Sequence, residues 1–104
     1  MIKAKKSLGQ NFLIDKNILE VIVNTVKIDN KSILEIGPGT GNLTSYILKK
    51  KPKKIFVVEK DNILANDLYK NFNNQLTVIN DDILKIDECS ISKENLIVFG
   101  NLPY

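Results

Sequence analysis

Three glycines at alternate positions, Gly37, Gly39 and Gly41, follow directly on the apolar run "SILEI" and precede the helix-like stretch "LTSYIL". Residues without side chains at such spacing let main-chain N–H groups come close to another molecule. A glycine-rich passage from strand to helix is a ligand loop in many α/β folds. Polar residues stand at matching places along the chain: Glu35 two residues before the loop, Glu59 about twenty residues beyond it, Asp82 in "NDD" and Asn101 in "NLPY". Carboxylates so placed attract cations and accept hydrogen bonds from hydroxyls and amines.

Three ligands compete for this loop. A P-loop ends in Gly-Lys-Ser/Thr, whereas here Gly41 is followed by Asn42 and Leu43, so the lysine and the magnesium-binding hydroxyl are missing. A dinucleotide fingerprint has its third glycine three positions after the second. Asn42 stands there, so that reading fits less well but stays open. The third is S-adenosylmethionine, whose reactive end carries a sulfonium and an ammonium beside a carboxylate, with no phosphate. Gly37 and Gly39 let the backbone approach its methionine and ribose parts, and Glu35 supplies a negative potential that suits a cation and repels a pyrophosphate. Glu59 stands where an acidic side chain accepts from ribose hydroxyls, and Asp82 can accept from the exocyclic amine of the adenine. The plainer alternative is that Glu59 and Asp82 end strands and cap helices, as Asp61 is expected to do.

The segment Asn101, Leu102, Pro103, Tyr104 adds a second piece of chemistry. Proline fixes a turn and biases Leu102 toward extended backbone. An amide side chain and a carbonyl held together accept both hydrogens of an aromatic amine, which favours a pyramidal nitrogen with an available lone pair. Tyr104 offers a face for stacking a base taken out of its helix. A Pro turn with an aromatic plug is the plainer reading of the same four residues.

Elements that would position these groups alternate along the chain. Asp15 can cap a helix whose apolar residues Ile18, Leu19, Ile22, Val23 and Val26 recur at helical spacing, and "DNK" at 29–31 is a turn. A strand at 32–36, a helix to about Lys50, the strand "KIFVVE" and a helix through Ile63, Leu64, Leu68 and Phe72 follow. "LTVI" at 76–79 is a third strand and "LIVFG" at 96–100 a fourth; the latter's apolar length suits a central place in a sheet covered on both faces. Strands alternating with helices predict a parallel, doubly wound α/β sheet, in which ligands sit outside the carboxyl ends of the strands. Gly37, Glu59, Asp82 and Asn101 all fall at such ends.

Bulk composition narrows the class. The 104 residues are 43% hydrophobic and 26% charged, without repeat or low-complexity linker, which fits one domain over 1–104. Cys89 is the one cysteine and histidine is absent, so neither a disulfide scaffold nor a metal site is supported, and a cytoplasmic setting fits. No signal peptide or membrane span is expected. All fifteen basic residues are lysines, for a net charge of +3, with clusters at Lys3, Lys5 and Lys6 and at Lys49–Lys54 around Pro52. The second cluster reads as solvated lysines at a helix end. Contacts from lysines to nucleic acid would be salt-sensitive point-charge attraction and would not read sequence.

In order and style, "SLGQNFLID", "LEIGPGTGNLT", "VVEKD", "NDDIL" and "FGNLPY" resemble the ribosomal RNA adenine dimethyltransferases, from Lys6 to Tyr104. The resemblance implies a Rossmann-like, S-adenosylmethionine-dependent methyltransferase fold with a parallel sheet, incomplete at its C-terminal end. It implies dimethylation of N6 on two adjacent adenosines near the 3′ end of small-subunit rRNA, acting on rRNA or a pre-ribosomal small subunit, by a monomer. It further implies that Asn11 and Leu13 touch the cofactor together with Glu35, Gly37, Gly39, Gly41, Glu59, Asp82 and Asn101, and that Asn101, Leu102, Pro103 and Tyr104 hold the target base. Family members continue past this motif with further strands and a helical RNA domain, so the resemblance implies an N-terminal portion that does not methylate rRNA by itself. Erythromycin-resistance methylases of large-subunit rRNA, methyltransferases of small molecules and a non-catalytic RNA-binding assembly protein are the competing readings.

Overall fold

A computed structural model describes residues 16–92 and 94–100. Helices and strands alternate as α1 (Lys16–Asn24), β1 (Ser32–Ile36), α2 (Asn42–Lys49), β2 (Lys54–Val58), α3 (Asn62–Phe72), β3 (Thr77–Ile79), α4 (Glu88–Ile91) and β4 (Leu96–Gly100). Short 3-10 turns occupy Asn73–Gln75 and Ile83–Lys85.

The four strands form one parallel sheet in the order β3-β2-β1-β4, as the alternating pattern predicts. Ser32 to Ile36 align with Lys54 to Val58 on one side and with Leu96 to Gly100 on the other. The chain moves outward from β1 to β3 and then crosses back to the far side of β1, so strand order reverses between β1 and β4. The glycine loop leaves β1 at that reversal, the place where open α/β sheets bind ligands.

Period-two alternation sorts strand residues to two faces. Ile33, Ile55, Val57 and Phe99 lie on the face that Leu19 and Val23 of α1, Leu43 and Ile47 of α2 and Leu68 of α3 join in one core. Ile33, Ile47 and Leu68 are fully buried, and truncating any of them to alanine should cost about 2–5 kcal/mol. The opposite face carries Phe56, Thr77 and Ile79; the segment 81–91 borders it across an open cavity of about 550 Å³.

Two expectations need correction. Val26 lies beyond α1, which ends at Asn24, and is 41% exposed, because the helical spacing outlasts the helix itself. Ile63 is placed in the first turn of α3 on its solvent side. Among the described residues β4 pairs with β1, with Phe99 in the core and Val98 45% exposed. Asp61 does cap α3: its Oδ1 accepts from the N–H of Ile63 at 2.8 Å and of Leu64 at 2.9 Å, a contribution of about 1 kcal/mol.

Candidate functional site

Gly37, Gly39 and Gly41 all adopt positive φ, at 67°, 60° and 90°. The Gly37 N–H donates to the Val58 carbonyl at 2.9 Å, tying the start of the loop to the end of β2. At Gly41 a Cβ would stand 2.7 Å from Cε2 of Phe72 and 3.2 Å from Cδ2 of Leu68, so this glycine lets α3 pack against the start of α2. At Gly39 a Cβ would meet nothing within 4 Å among the described residues, so one side of the loop's middle is open with respect to them.

Glu59, one residue past β2, is 7% exposed and bridges the loop to α3. Its Oε1 accepts from the Gly39 N–H at 3.1 Å and its Oε2 from the Asp61 N–H at 3.0 Å. Each carboxylate oxygen keeps acceptor capacity beyond these bonds. The Glu59 carbonyl in turn accepts from Asn80 Nδ2 at 3.0 Å, and the Glu59 N–H donates to the Ile79 carbonyl at 3.0 Å, so the residue is held from β3 as well.

Glu35 is the penultimate residue of β1 and 2% exposed. Thr44, fully buried on α2, donates its hydroxyl to Glu35 Oε1. Burial pushes the carboxyl up from 4.5 to about 7; the Thr44 hydrogen bond opposes that shift and the nearby Glu59 charge adds to it. Burial thus works against the negative charge expected of Glu35.

Asp82 caps the turn Ile83–Lys85: its Oδ1 accepts from the Leu84 N–H at 3.0 Å, and its Oδ2 lies 3.7 Å from Lys60 Nζ. The capping role foreseen as the plainer alternative is therefore present, and the second oxygen faces Lys60 and solvent. Glu35, the glycines and Glu59 are brought together at the carboxyl ends of β1 and β2, while Asp82 follows β3, the next strand outward. Asn11, Leu13, Asn101, Leu102, Pro103 and Tyr104 lie outside the described residues. Two positioning groups went unforeseen, Thr44 and Asn80. The signal for Thr44 was a glutamate inside a buried strand, which needs a nearby donor.

Two open cavities, the one beside Phe56 and one of about 670 Å³ beside Tyr69 and Asn73, include no residue of the glycine loop. Among the described residues the site is marked by its polar groups. Among the described residues no group of three or more His, Cys, Asp or Glu is placed to hold a metal, and no helix is long and apolar enough to cross a membrane.

A parallel sheet with a glycine loop at its order reversal, and acids at the ends of the strands beside it, defines a Rossmann-like methyltransferase fold. Solved structures agree. The 23S rRNA methyltransferase ErmE matches with a TM-score of 0.74 at 27% identity, over 86% of this chain and 36% of that one. A dimethyladenosine transferase from Plasmodium falciparum matches with a TM-score of 0.73 at 29% identity, over 86% of this chain and 33% of that one. The model of the ribosomal RNA adenine dimethylase family matches residues 1–104, and the chain belongs to that family. Curated relatives include the ribosomal RNA small subunit methyltransferase A of Pelagibacter ubique, 64% identical over 103 residues, and that of Maridesulfovibrio salexigens, 47% identical over 104 residues. These matches cover 99% and 98% of this chain, which spans 39% of the length of each relative.

Proposed function

We propose that residues 1–104 form the cofactor-binding portion of an rRNA adenine dimethyltransferase. The whole enzyme uses S-adenosyl-L-methionine to dimethylate N6 of two adjacent adenosines near the 3′ end of small-subunit rRNA, in ribosome biogenesis. It acts in the cytoplasm, as a monomer, without a metal ion.

The observation that carries this reading is Gly39, whose N–H is held by Glu59 while the space above its α-carbon stays open. The donor set fits the cofactor: the carboxylates of Glu35 and Glu59, acceptors for hydroxyls and cations, stand at the loop. When bound, S-adenosylmethionine supplies an electrophilic methyl on a sulfonium. Glu59 accepts from the ribose hydroxyls through the lone pairs that Gly39 and Asp61 leave free. Asp82 accepts from the adenine amine through the oxygen opposite its Leu84 bond. Glu35, ionised by a neighbouring cation, balances the ammonium and sulfonium charge. Asn11 and Leu13 close over the cofactor. The Asn101 side chain and the Leu102 carbonyl accept the two hydrogens of the target amine, leaving its lone pair free, while Pro103 fixes the turn and Tyr104 stacks on the base.

The full-length protein, incubated with methyl-labelled cofactor and unmethylated small ribosomal subunits, should place label on N6 of two adjacent adenosines. Label entering large subunits instead would favour the second reading, an erythromycin-resistance type of activity, which the likeness to ErmE keeps in view. Cofactor binding without label transfer to either subunit would favour a non-catalytic assembly role.

A further inference from the structure

At the end of the sheet opposite the glycine loop, the turn between α2 and β2 and the residue before β1 gather Lys31, Lys49, Lys50, Lys51, Lys53 and Lys54. A helix terminus accounts for Lys49 and Lys50, which lie at the carboxyl end of α2. It does not account for the others. Lys53 is paired with Glu94 at 2.8 Å, and Asp29 is the other carboxylate in these loops, so among the described residues the six lysines outnumber the acids beside them.

The backbone beneath these lysines is built, not loose. Lys53 N–H donates to the Lys31 carbonyl at 2.8 Å, Asn30 N–H to the Lys51 carbonyl at 3.0 Å, and Lys51 N–H to the Leu48 carbonyl at 3.1 Å. Lys51 itself sits at φ 57°, a left-handed conformation that a Cβ disfavours and that glycine or asparagine usually fills. Lys49 Nζ lies 4.5 Å from the centre of the Tyr46 ring. The turn is pinned to its neighbour strand, so the points from which these side chains leave the backbone are fixed.

Resting on the rRNA reading above, we infer that this lysine rim is a second RNA-docking surface, which engages the phosphodiester backbone of the small-subunit rRNA about 17 Å of strand length away from the cofactor loop. Among the described residues the carboxyl ends carry Glu59, Asp61, Asp81 and Asp82 beside Lys60, a net acidic set, whereas the opposite end carries a net basic one. Lysines give no bidentate fork, so the rim anchors backbone without reading bases. Each lysine that neutralises a phosphate steepens the salt dependence of binding by about one unit of slope.

The test uses the full-length protein and unmethylated small subunits, with dissociation constants measured from about 50 to about 200 mM KCl, a range over which counterion release is read directly. A Lys50→Gln/Lys54→Gln double variant should lower the slope of log affinity against log salt by about 2 units and weaken binding about tenfold at the midpoint of the series. A Lys16→Gln/Lys85→Gln double variant, which removes the same charge away from the amino end of the sheet, should leave the slope within about 0.3 units of the parent. Lys51→Gly should weaken RNA binding while raising the unfolding midpoint, a pair of opposite signs that damage to the fold does not produce. Equal slopes for the rim and control doubles overturn the inference, as does an unchanged slope for the rim double. Methyl transfer by the parent protein tests the rRNA reading separately: its absence would sink that reading whatever the slopes show.

Discussion

The two ends of this sheet solve opposite electrostatic problems with the same residue classes. At the carboxyl ends of β1 and β2, Glu35 and Glu59 are buried, and each is held by a hydroxyl or by backbone N–H groups. At the amino ends, Ser32 and Lys53 hold a single half-exposed carboxylate, Glu94, among lysines. Burial makes Glu35 expensive to ionise and sensitive to any ligand charge. Exposure makes the second set cheap, screened and additive. The difference teaches that a site for one small cation needs a few desolvated acids, while a surface for a polyanion needs many hydrated bases.

The sharpest way to break this contrast is through Glu35, whose folded-state value of about 7 stands above its unfolded value of 4.5. The folded protein then holds a proton that the unfolded chain has lost. Stability should therefore fall as pH rises from 4.5 to 7, and level off above it, by about 3 kcal/mol. Glu35→Gln should erase that slope in urea unfolding series of the full-length protein at pH 5 and pH 8, leaving the Thr44 hydroxyl with an acceptor. A slope identical to the parent's would show that Glu35 titrates normally and that the buried end is not electrostatically special. Because a cation beside Glu35 favours its ionised form, S-adenosylmethionine binding near pH 7 should also release a proton, visible as a dependence of calorimetric heat on the buffer's ionisation enthalpy.

Second in size is Glu59→Ala. It removes the acceptor proposed for the ribose and leaves the Gly39 and Asp61 N–H groups without their partner. Affinity for S-adenosylmethionine should drop by about 2 kcal/mol, roughly thirtyfold, with RNA binding at low salt little changed. Unaltered cofactor affinity would remove Glu59 from the site.

Much of this was legible in the chain, and what was not has physical causes. "LIVFG" and "SILEI" read as strands because their apolar runs sit between turn residues, and the structure places β4 and β1 at those bounds. The turn Ile83–Lys85 and the four-residue α4 escaped notice because neither is long enough to show a period. Glu35 was legible as a candidate, but its bond to Thr44 crosses the glycine loop from strand to helix, and no spacing rule reports which hydroxyl a loop will fold back upon. The upward push on its carboxyl was not legible for the same reason: it follows burial, and burial is a property of the assembled sheet. At the other end, the lysines were legible as a cluster, whereas the left-handed backbone at Lys51 was not.

Third is Gly39→Ala. None of the described residues would touch the added methyl, so the expected cost to folding is that of the left-handed backbone, about 1 kcal/mol at φ 60°. The methyl would nevertheless occupy space proposed for the cofactor, and binding should weaken out of proportion to stability. If stability and affinity fell by equal amounts, the open side of the loop would have no part in binding.

The smallest effect is expected from Glu94, and its sign is the useful part. Hydrogen bonds from Lys53 and then Ser32 hold this carboxyl below its ordinary value, with the Lys53 and Lys54 charges helping and desolvation opposing weakly. A carboxyl depressed in the folded state contributes stability above its unfolded value of 4.5 and loses it as pH falls through the folded value, the reverse of Glu35. Glu94→Gln should therefore flatten a shallow acid-side slope below about pH 4.5 and leave the neutral-side slope untouched. Because the pair is about half exposed, at 47% and 48% for the Lys53 and Glu94 side chains, the effect should shrink in 1 M salt, where the Debye length is about 3 Å. The neutral-side slope from the buried Glu35 should persist in the same salt. Unfolding series of the two Gln variants at low and high salt make the comparison direct: if both slopes vanish together in salt, or both survive, the two ends of the sheet do not differ in desolvation as described, and the division between a buried cation site and a hydrated lysine rim fails with it.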